Sequence, residues 1–371
     1  MKKVIHTSIF FLTLLFLAGS VSASGKKEEK LEKAYPFPRK AVWLNARPLN
    51  KKIFRQKVTL VYFWDYTSVN SLRELSILKR WYNRYQPYGF QMVFVHSPEF
   101  DFAKNKENAE KAVRRLQIPF PVILDNDSDL WESYNVRSWP TKFLVNGEGV
   151  IIHSQVGEGR DLEMEGKIRE ALRGLDSNAV LPMQVIEEDK DKFDIPQCGE
   201  MSAETYTGHK RASWWGGEIA NTKGALPDQT ILYRDRGKRV ERGFFVEGLW
   251  TNNEDFFEHA RDTKKVTDYI GLLYLAHEVY AVLGRVKSGN AVSRIYVTRD
   301  EGPVPPEYRG LDVKEDALGA TYLLLQEPRL YYLIANEEAT PHELKLWTQQ
   351  AGTAVYSFSF SNHCLSDFDH L

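Results

Sequence analysis

The hydrophobic positions between residues 43 and 175 switch between two periods. Compact apolar runs predict strands at 58–64, 90–96, 121–124, 142–145 and 150–153. Apolar side chains at three- and four-residue spacing predict helices at 72–85, 103–116 and 162–172. Strands that alternate with helices are typical of an α/β layer fold with a mixed sheet.

The helical period mostly disappears in residues 198–364. Short runs of aromatic and branched residues predict about eight strands there, at 243–249, 269–275, 279–283, 293–297, 321–325, 330–334, 343–347 and 354–360. This pattern favours an all-β, jelly-roll-like sandwich. Residues 26–42 form a charged N-terminal segment, residues 176–197 are predicted to be a solvated linker, and residues 365–371 form a tail.

The first 25 residues have the pattern of a secretory signal peptide. Lys2 and Lys3 precede an apolar run at 9–18, and Val21-Ser22-Ala23 offers small residues for cleavage. The apolar run is shorter than the roughly 20 residues that a stable membrane span needs. We therefore expect an exported protein, periplasmic or extracellular, without a stable membrane span. An uncleaved anchor is the alternative.

The composition of the chain narrows the possible classes of protein but does not identify its function. A chain of 371 residues suffices for about two domains, and a net charge of −1 gives no bulk attraction for nucleic acid. Aromatic residues reach 13%, with nine Trp. This content fits β-rich packing or a surface for sugars or peptides, with core packing as the alternative.

The segment between the first predicted strand and the first predicted helix has no cysteine, although its pattern is that of a redox site. It reads Phe63-Trp64-Asp65-Tyr66-Thr67-Ser68-Val69-Asn70-Ser71. This arrangement resembles the thioredoxin fold, in which two cysteines stand at the helix start and the helix N-terminus lowers the pKa of the first thiol. Here Ser68 and Ser71 occupy both positions, and a serine hydroxyl without an adjacent base neither forms a disulfide nor attacks one. Helix capping is their alternative role.

A second landmark precedes the strand at 142–145. In a thioredoxin-like fold, the proline of Ser138-Trp139-Pro140-Thr141 is a cis-proline that faces the start of the helix. Backbone beside it can pair with an extended peptide as an added strand. The candidate peptide groove comprises Trp64, Tyr66, Ser68, Ser71, Trp139, Pro140 and Thr141. A structural turn with a trans bond is the alternative.

Further stretches extend this pattern over most of the chain. They include Val95-His96-Ser97-Pro98-Glu99-Phe100, Gly157-Glu158-Gly159, Glu204-Thr205-Tyr206, Gly310-Leu311-Asp312-Val313 and Arg329-Leu330-Tyr331. On these stretches the chain resembles the exported C-terminal region of DipZ-type cytochrome c biogenesis proteins. There a thioredoxin/TlpA-like domain precedes a β-domain similar to carbohydrate-binding modules. The resemblance implies a thioredoxin-like α/β domain at 43–175 and a β-sandwich at 198–364. The chain differs from the family in having Ser68 and Ser71 at the positions of the redox cysteine pair.

The only two cysteines stand near the ends of the predicted β-sandwich. Because an exported compartment permits disulfides, Cys198 and Cys364 are candidates for a bond that staples its terminal strands. Two free thiols, or one thiol that docks a redox partner, are the alternatives.

Two other patterns in the sequence resemble parts of known ligand sites. Adjacent aromatics in Trp214-Trp215-Gly216-Gly217 suggest a Gly-rich loop that stacks on a sugar ring, with core packing as the alternative. His277-Glu278 opens a zinc-protease pattern, but Ala281 replaces the second histidine. We expect no metal and no cofactor.

These observations leave two main functions open, and a purely structural role, with both domains as assembly modules, is a third possibility. The first is a non-catalytic binding or scaffold protein of the cell envelope, with a peptide or protein partner in the groove and a glycan or protein on the β-domain. The second is a component of a thiol–disulfide oxidoreductase pathway that uses Cys198, Cys364 or a partner's cysteines.

Overall fold

The computed structural model describes residues 32–38, 40–185, 200–215, 217–221, 226–286 and 292–362. The predicted signal peptide, Cys198, Cys364 and the tail lie outside the described residues. None of the helices in the described ranges is long and apolar enough to cross a membrane.

The first domain, here called the α/β domain, contains one six-stranded mixed sheet. Its strands are β1 (Val42–Leu44), β2 (Val58–Trp64), β3 (Phe90–His96), β4 (Val122–Leu124), β5 (Thr141–Val145) and β6 (Ile151–Val156), and its helices are α1 (Val69–Arg73), α2 (Leu75–Tyr85), α3 (Lys106–Arg115), α4 (Asp129–Ser133) and α5 (Asp161–Leu175). The sheet order is β1-β4-β3-β2-β5-β6. Strands β2, β3 and β4 are parallel, while β1, β5 and β6 run antiparallel to their neighbours. The predicted α/β class and mixed sheet are therefore confirmed.

Burial explains why β2 is the central strand. All seven of its residues are buried, so both sheet faces beside it are covered by helices or loops. One face packs against the apolar sides of α1, α2, α3 and α5, and the other against the segment around Phe37 and Phe54. The end of β2 is thereby held rigidly at the centre of the fold.

The second domain, here called the β-domain, is all-β apart from one α-helix and one 3-10 helix in the described residues. Its strands are β7 (Thr205–Tyr206), β8 (Glu218–Ile219), β9 (Thr230–Tyr233), β10 (Gly243–Asn252), β11 (Phe257–His259), β12 (Asp268–Leu275), β13 (Glu278–Arg285), β14 (Ser293–Arg299), β15 (Gly302–Pro303), β16 (Lys314–Glu315), β17 (Thr321–Leu325), β18 (Arg329–Ala335), β19 (Pro341–Thr348) and β20 (Thr353–Ser361). The α-helix is α6 (His209–Trp215) and the 3-10 helix is Pro306–Tyr308. All eight predicted strands are present.

Strand β10 connects two halves of this sheet. Its first part pairs with β12, and its second part pairs with β9 and β11. Gly248 lies at the change, with φ +107°, and a Cβ there would lie 2.1 Å from Asp268 Oδ2. Only glycine fits this position, because a side chain would collide with the neighbouring strand.

Strands β13 and β18 bury both of their faces. Along β13, Val279, Ala281 and Leu283 belong to the β-domain's own core, whereas Tyr280 and Val282 belong to the cluster shared with the α/β domain. This alternation follows from the period of two in a strand. The β-domain therefore packs one sheet face directly on the α/β domain.

Polar contacts fix the two domains beside this apolar interface. Arg211 donates to the carboxylate of Glu99 at 2.5 Å and to its carbonyl oxygen at 2.6 Å. The Tyr206 hydroxyl donates to the same carboxylate at 2.7 Å. Phe102 and Tyr356 pack with ring centroids 4.8 Å apart.

Part of the predicted linker is packed rather than solvated. Val185 is buried, and its N–H donates to Glu165 Oε1 at 2.6 Å. The carbonyl of Met183 accepts from Arg84 at 2.7 Å. The charged run at 187–192, which motivated the prediction, lies outside the described residues.

Candidate functional site

The candidate site lies at the sheet edge where the parallel strands end. Because Phe63 in β2 pairs with Thr141 in β5, the end of β2 and the start of β5 meet there. The Trp139–Pro140 peptide bond is cis and immediately precedes β5. The carbonyl of Pro140 accepts from the N–H of Gly157 at 2.8 Å. The predicted cis-proline landmark and the start of α1 therefore share one edge.

The two serines at this edge have different surroundings. Ser68 is the partly exposed N-cap of α1, and its hydroxyl accepts from the N–H of Ser71 at 3.4 Å. Ser71 is fully buried, and its hydroxyl has no hydrogen-bond partner in the described structure. Neither environment would activate a serine hydroxyl as a nucleophile, because that requires an adjacent base.

The two serines should respond oppositely to alanine. We expect Ser68→Ala to lower the free energy of unfolding by about 1 kcal/mol, because the helix loses its cap. Ser71→Ala should be neutral or stabilising, because it removes a buried hydroxyl without a partner. Urea unfolding of both variants checks this, and a larger loss for Ser71→Ala would contradict the assigned environments.

A buried carboxylate organises the loop before α1. Asp65 accepts from the N–H of Glu99 at 2.7 Å and from the Thr67 hydroxyl at 2.7 Å, and its Oδ1 lies 3.1 Å from His96 Nε2. Burial alone would raise the pKa of Asp65, but these hydrogen bonds, His96 first, hold it below its ordinary value. Through Glu99, this loop is linked to Arg211 and the β-domain.

Two residues predicted for the groove are inaccessible. Trp64 and Tyr66 are each only 1% exposed. Tyr66 stacks on His96 with centroids 5.2 Å apart and also packs on Phe102, which the β-domain residue Tyr356 covers. A bound peptide cannot reach these rings. Trp64 is covered within its own domain, by Phe94 and His96, whereas part of the cover over Tyr66 comes from the β-domain.

The accessible part of the candidate groove is smaller than predicted. Ser71, Pro140 and Thr141 are also buried, which leaves Ser68 and Trp139 partly exposed. The indole N–H of Trp139 donates to the carbonyl of Ser97 at 2.9 Å, and its ring lies 4.6 Å from that of Trp131. The exposed aromatic ring is therefore held in one orientation beside the start of α1.

A buried ion pair lies one helical turn beyond Ser71. Glu74 contacts Lys142 and accepts from the N–H of Gly159 at 3.1 Å. Burial raises the pKa of Glu74 to about 7, although Lys142 lowers it and Asp161 raises it further. The second oxygen of Glu74 is buried without a partner in the described residues. The site thus retains a buried group that can exchange a proton near neutral pH.

Four residues of this site were not predicted to be functional: Asp65, Glu74, His96 and Lys142. A usable signal existed for Lys142, because a lysine inside the apolar strand Thr141–Val145 needs a buried partner. No local pattern identifies Glu74 as that partner, since the two residues meet only in the folded sheet.

The predicted glycan-stacking tryptophans and the two cysteines lie away from this edge of the sheet or outside the described residues. Trp214 and Trp215 lie in the helix α6 (His209–Trp215), not in the predicted Gly-rich loop, because a helix begins after Gly208 with Ala212 N–H donating to the Gly208 carbonyl at 3.0 Å. Their side chains, like Cys198 and Cys364, lie outside what the structure describes. In the described ranges, no group of three or more His, Cys, Asp or Glu is arranged to hold a metal ion.

Two family models match the chain and divide it as the fold does. The AhpC/TSA family model matches residues 38–154, and the model described as a thioredoxin like C-terminal domain matches residues 202–361. Protein DipZ of Mycobacterium bovis (strain ATCC BAA-935 / AF2122/97) is 26% identical over 322 residues, which cover 86% of this chain and 41% of that protein. The chain is therefore similar to thioredoxin-like proteins, and its similarity to DipZ extends over most of both domains.

Other relatives match less than half of this chain. Thiol-disulfide oxidoreductase ResA of Bacillus cereus (strain ATCC 10987 / NRS 248) is 26% identical over 160 residues, which cover 42% of this chain and 90% of that protein. A crystal structure of a thiol-disulfide isomerase from Corynebacterium glutamicum aligns with a TM-score of 0.34 and 18% identity, over 38% of this chain and 96% of that one. This thioredoxin-like chain spans less than half of the length of DipZ.

Proposed function

We propose that this chain is an exported, non-catalytic binding protein of the cell envelope. Its thioredoxin-like domain binds an extended peptide or protein segment at the edge formed by Ser68 and Trp139, and its β-domain serves as a second binding module for a glycan or a protein. The observation that carries the proposal is the pair of serines at the start of α1. Export rests on the residue pattern at 2–23.

The environment of the two serines supports binding of a partner without thiol–disulfide exchange. Thiol–disulfide exchange needs a thiolate nucleophile and a second thiol to resolve the mixed disulfide. Ser68 supplies only a cap, and Ser71 is closed off from solvent. A partner can therefore be held at this edge but not covalently trapped there.

The backbone at Trp139 supports recognition of an extended segment. Among the described residues, no hydrogen bond uses either its N–H or its carbonyl, while the flanking Pro140 carbonyl is already paired. Free backbone groups at a strand end can pair with an added strand. The half-buried rings of Trp139 and Trp131 provide apolar contact beside it.

Filling the groove tests this proposal. We expect Ser68→Tyr to weaken binding of a fluorescent library of short random peptides at least about tenfold, because the new ring occupies the space beside Trp139. Asn105→Tyr is the matched control, since it also replaces an N-cap residue by tyrosine, at the start of α3. Fluorescence anisotropy measures both. Equal binding by native protein and Ser68→Tyr, or no binding by native protein, would overturn the proposal.

The relatives favour one second candidate. Because ResA is named a thiol-disulfide oxidoreductase, the chain could act in such a pathway through Cys198, Cys364 or a partner's cysteines. This function requires a thiol that the described site does not supply. Insulin reduction by the native chain, compared with that by Cys198→Ser/Cys364→Ser, separates the two candidates.

A further inference from the structure

The two halves of the β-domain sheet enclose one core, and each half has a second face. The half that contains β13 and β18 turns its second face to the α/β domain, where Tyr280 and Tyr332 join the shared cluster. The other half, here called the outer half, consists of β16, β17, β14, β19, β12 and the first part of β10. Among the described residues, none of its side chains belongs to that shared cluster. The second face of the outer half is therefore not covered by the α/β domain.

Four aromatic side chains, here called the aromatic row, lie side by side across this face. Tyr322 in β17 pairs with Tyr296 in β14, and Tyr296 pairs with Trp347 in β19. Trp347 pairs in turn with Tyr269 in β12. The apolar residues that follow or precede them along each strand belong to the β-domain core, so the four rings point away from it. All four are half-buried, which leaves part of each ring open to solvent.

The aromatic row runs across the strands and not along them. Because neighbouring strands lie about 4.8 Å apart, four rings on four strands span about 14 Å. The rings of Tyr322 and Tyr296 are tilted by 61°, and those of Trp347 and Tyr269 by 55°. A row of this length and tilt fits one extended chain of rings that turns between units, better than a single ring or a flat crystalline surface.

The charged groups beside the aromatic row balance one another. Four cations of this face lie within ion-pair distance of a carboxylate: Lys345 with Glu343, Arg239 with Glu343, Arg234 with Glu247, and Arg294 with Asp316. The next residues in register at the two ends of the row have opposite charges, Lys314 beside Tyr322 and Glu247 beside Tyr269. Since neither sign is in excess, this face is complementary to a neutral ligand and not to a strongly charged one.

The exposed groups of this face suit a sugar better than a protein. Along the described strands of the outer half, Leu273 is the only large apolar side chain that is more than a third exposed, whereas protein-binding surfaces present larger apolar patches. A glucose-type ring has apolar C–H faces, because its hydroxyl groups are equatorial. Its faces can stack on the aromatic row while its edge hydroxyls reach polar side chains such as Arg294, whose guanidinium lies 4.2 Å from the Tyr322 ring.

We infer that the aromatic row binds a neutral cellulose- or chitin-type glycan, in which β-linked sugar rings follow one another in a straight chain. This inference rests on the proposed function, in which the β-domain binds a glycan or a protein, and it names the ligand class and the place. Equatorial linkages keep such a chain straight enough to follow the four rings, whereas the α-linkages of amylose coil it. Trp347 stands inside the row, and its indole N–H donates to Thr298 Oγ1 at 3.0 Å, which fixes the ring for stacking.

Three soluble hexasaccharides test the inference by isothermal titration calorimetry on the full native chain. They are cellohexaose, chitohexaose and the α-linked maltohexaose. We expect cellohexaose or chitohexaose to bind at least about tenfold more tightly than maltohexaose, with the same affinity at low and high salt because the ligand is neutral. Trp347→Ala should weaken that binding at least about tenfold, since it removes a stacking ring.

Two further variants control for loss of the fold. Tyr322→Ala removes the ring at the far end of the row and should weaken binding about threefold or more. Trp43→Ala is matched to Trp347→Ala, because it truncates another half-buried tryptophan in a strand, and it should leave the affinity unchanged. The inference is overturned if neither β-linked hexasaccharide binds more tightly than maltohexaose. Equal weakening by Trp347→Ala and Trp43→Ala would also overturn it.

The outcomes distinguish this inference from the proposed function. If no hexasaccharide binds but Ser68→Tyr still weakens binding of the peptide library, the groove stands and the inference about the row fails. If a β-linked hexasaccharide binds the native chain and Trp347→Ala equally, the β-domain binds a glycan elsewhere and the inference again fails. If Trp347→Ala weakens glycan binding while the native chain binds no peptide, the row stands and the groove fails.

Discussion

The double variant Ser68→Cys/Ser71→Cys is expected to reduce insulin disulfides at least about a hundredfold faster than the native chain. The start of α1 would lower the pKa of a thiol at position 68, and a thiol at 71 would stand one turn away to resolve the mixed disulfide. The buried Glu74, with a pKa of about 7, provides a nearby group that can take up a proton. Turbidity of precipitating insulin B chain measures the rate.

The single variants control for this result. Ser68→Cys alone should form a mixed disulfide without turnover, because nothing resolves it. Ser71→Cys alone should react slowly even with a small alkylating reagent, because position 71 is buried. If the double variant folds but shows no turnover, the two cysteines are not sufficient for redox activity, and other residues of the site must also differ from those of a redox site.

The variant Lys142→Met is expected to lose about 3 kcal/mol of unfolding free energy at pH 8 and less than about half of that at pH 5. Glu74 would keep its burial but lose the cation that lowers its pKa. Because the folded-state pKa of Glu74 already lies above its unfolded value, stability is fully present at low pH and falls as pH rises through about 7. Without Lys142 that pKa rises further, so the fall continues to higher pH. Urea unfolding at both pH values measures it.

The double variant Glu74→Gln/Lys142→Met separates charge from packing. With Glu74 and Lys142 both replaced, its stability should recover to within about 2 kcal/mol of the native chain. The pH dependence that comes from Glu74 should disappear, which leaves that of Asp161, a carboxylate 3.8 Å from Lys142 in the native chain. An equal loss for Lys142→Met at pH 5 and pH 8 would show that Lys142 acts by packing and not through the charge of Glu74.

Long apolar runs made most of the fold predictable from the sequence. The strands at Val58–Trp64, Phe90–His96 and Thr321–Leu325 were predicted to the residue, because each is a continuous or alternating apolar run. The strands that were missed, such as Glu218–Ile219 and Lys314–Glu315, have two to four residues, too few to show a period. Pairing with a neighbouring strand, not local preference, creates them.

The candidate site was predictable only in part. Ser68, Ser71 and Pro140 follow from spacing along the chain, and the cis bond at Pro140 agrees with the predicted landmark. The burial of Tyr66 beneath Phe102 and Tyr356 could not be predicted, because it depends on how the second domain docks. Residues 72–85 were predicted to form a single helix. The structure instead has α1 ending at Arg73 and α2 beginning at Leu75, and Glu74 between them pairs with Lys142 in the distant strand β5.

The most direct test of the account is an insulin-reduction assay of the full native chain with dithiothreitol, beside the variant Cys198→Ser/Cys364→Ser. Both proteins are expected to show only the background rate of dithiothreitol, because the site at the start of α1 holds no thiol. Turnover by the native chain that the cysteine variant loses would contradict it and would place the protein among thiol–disulfide oxidoreductases.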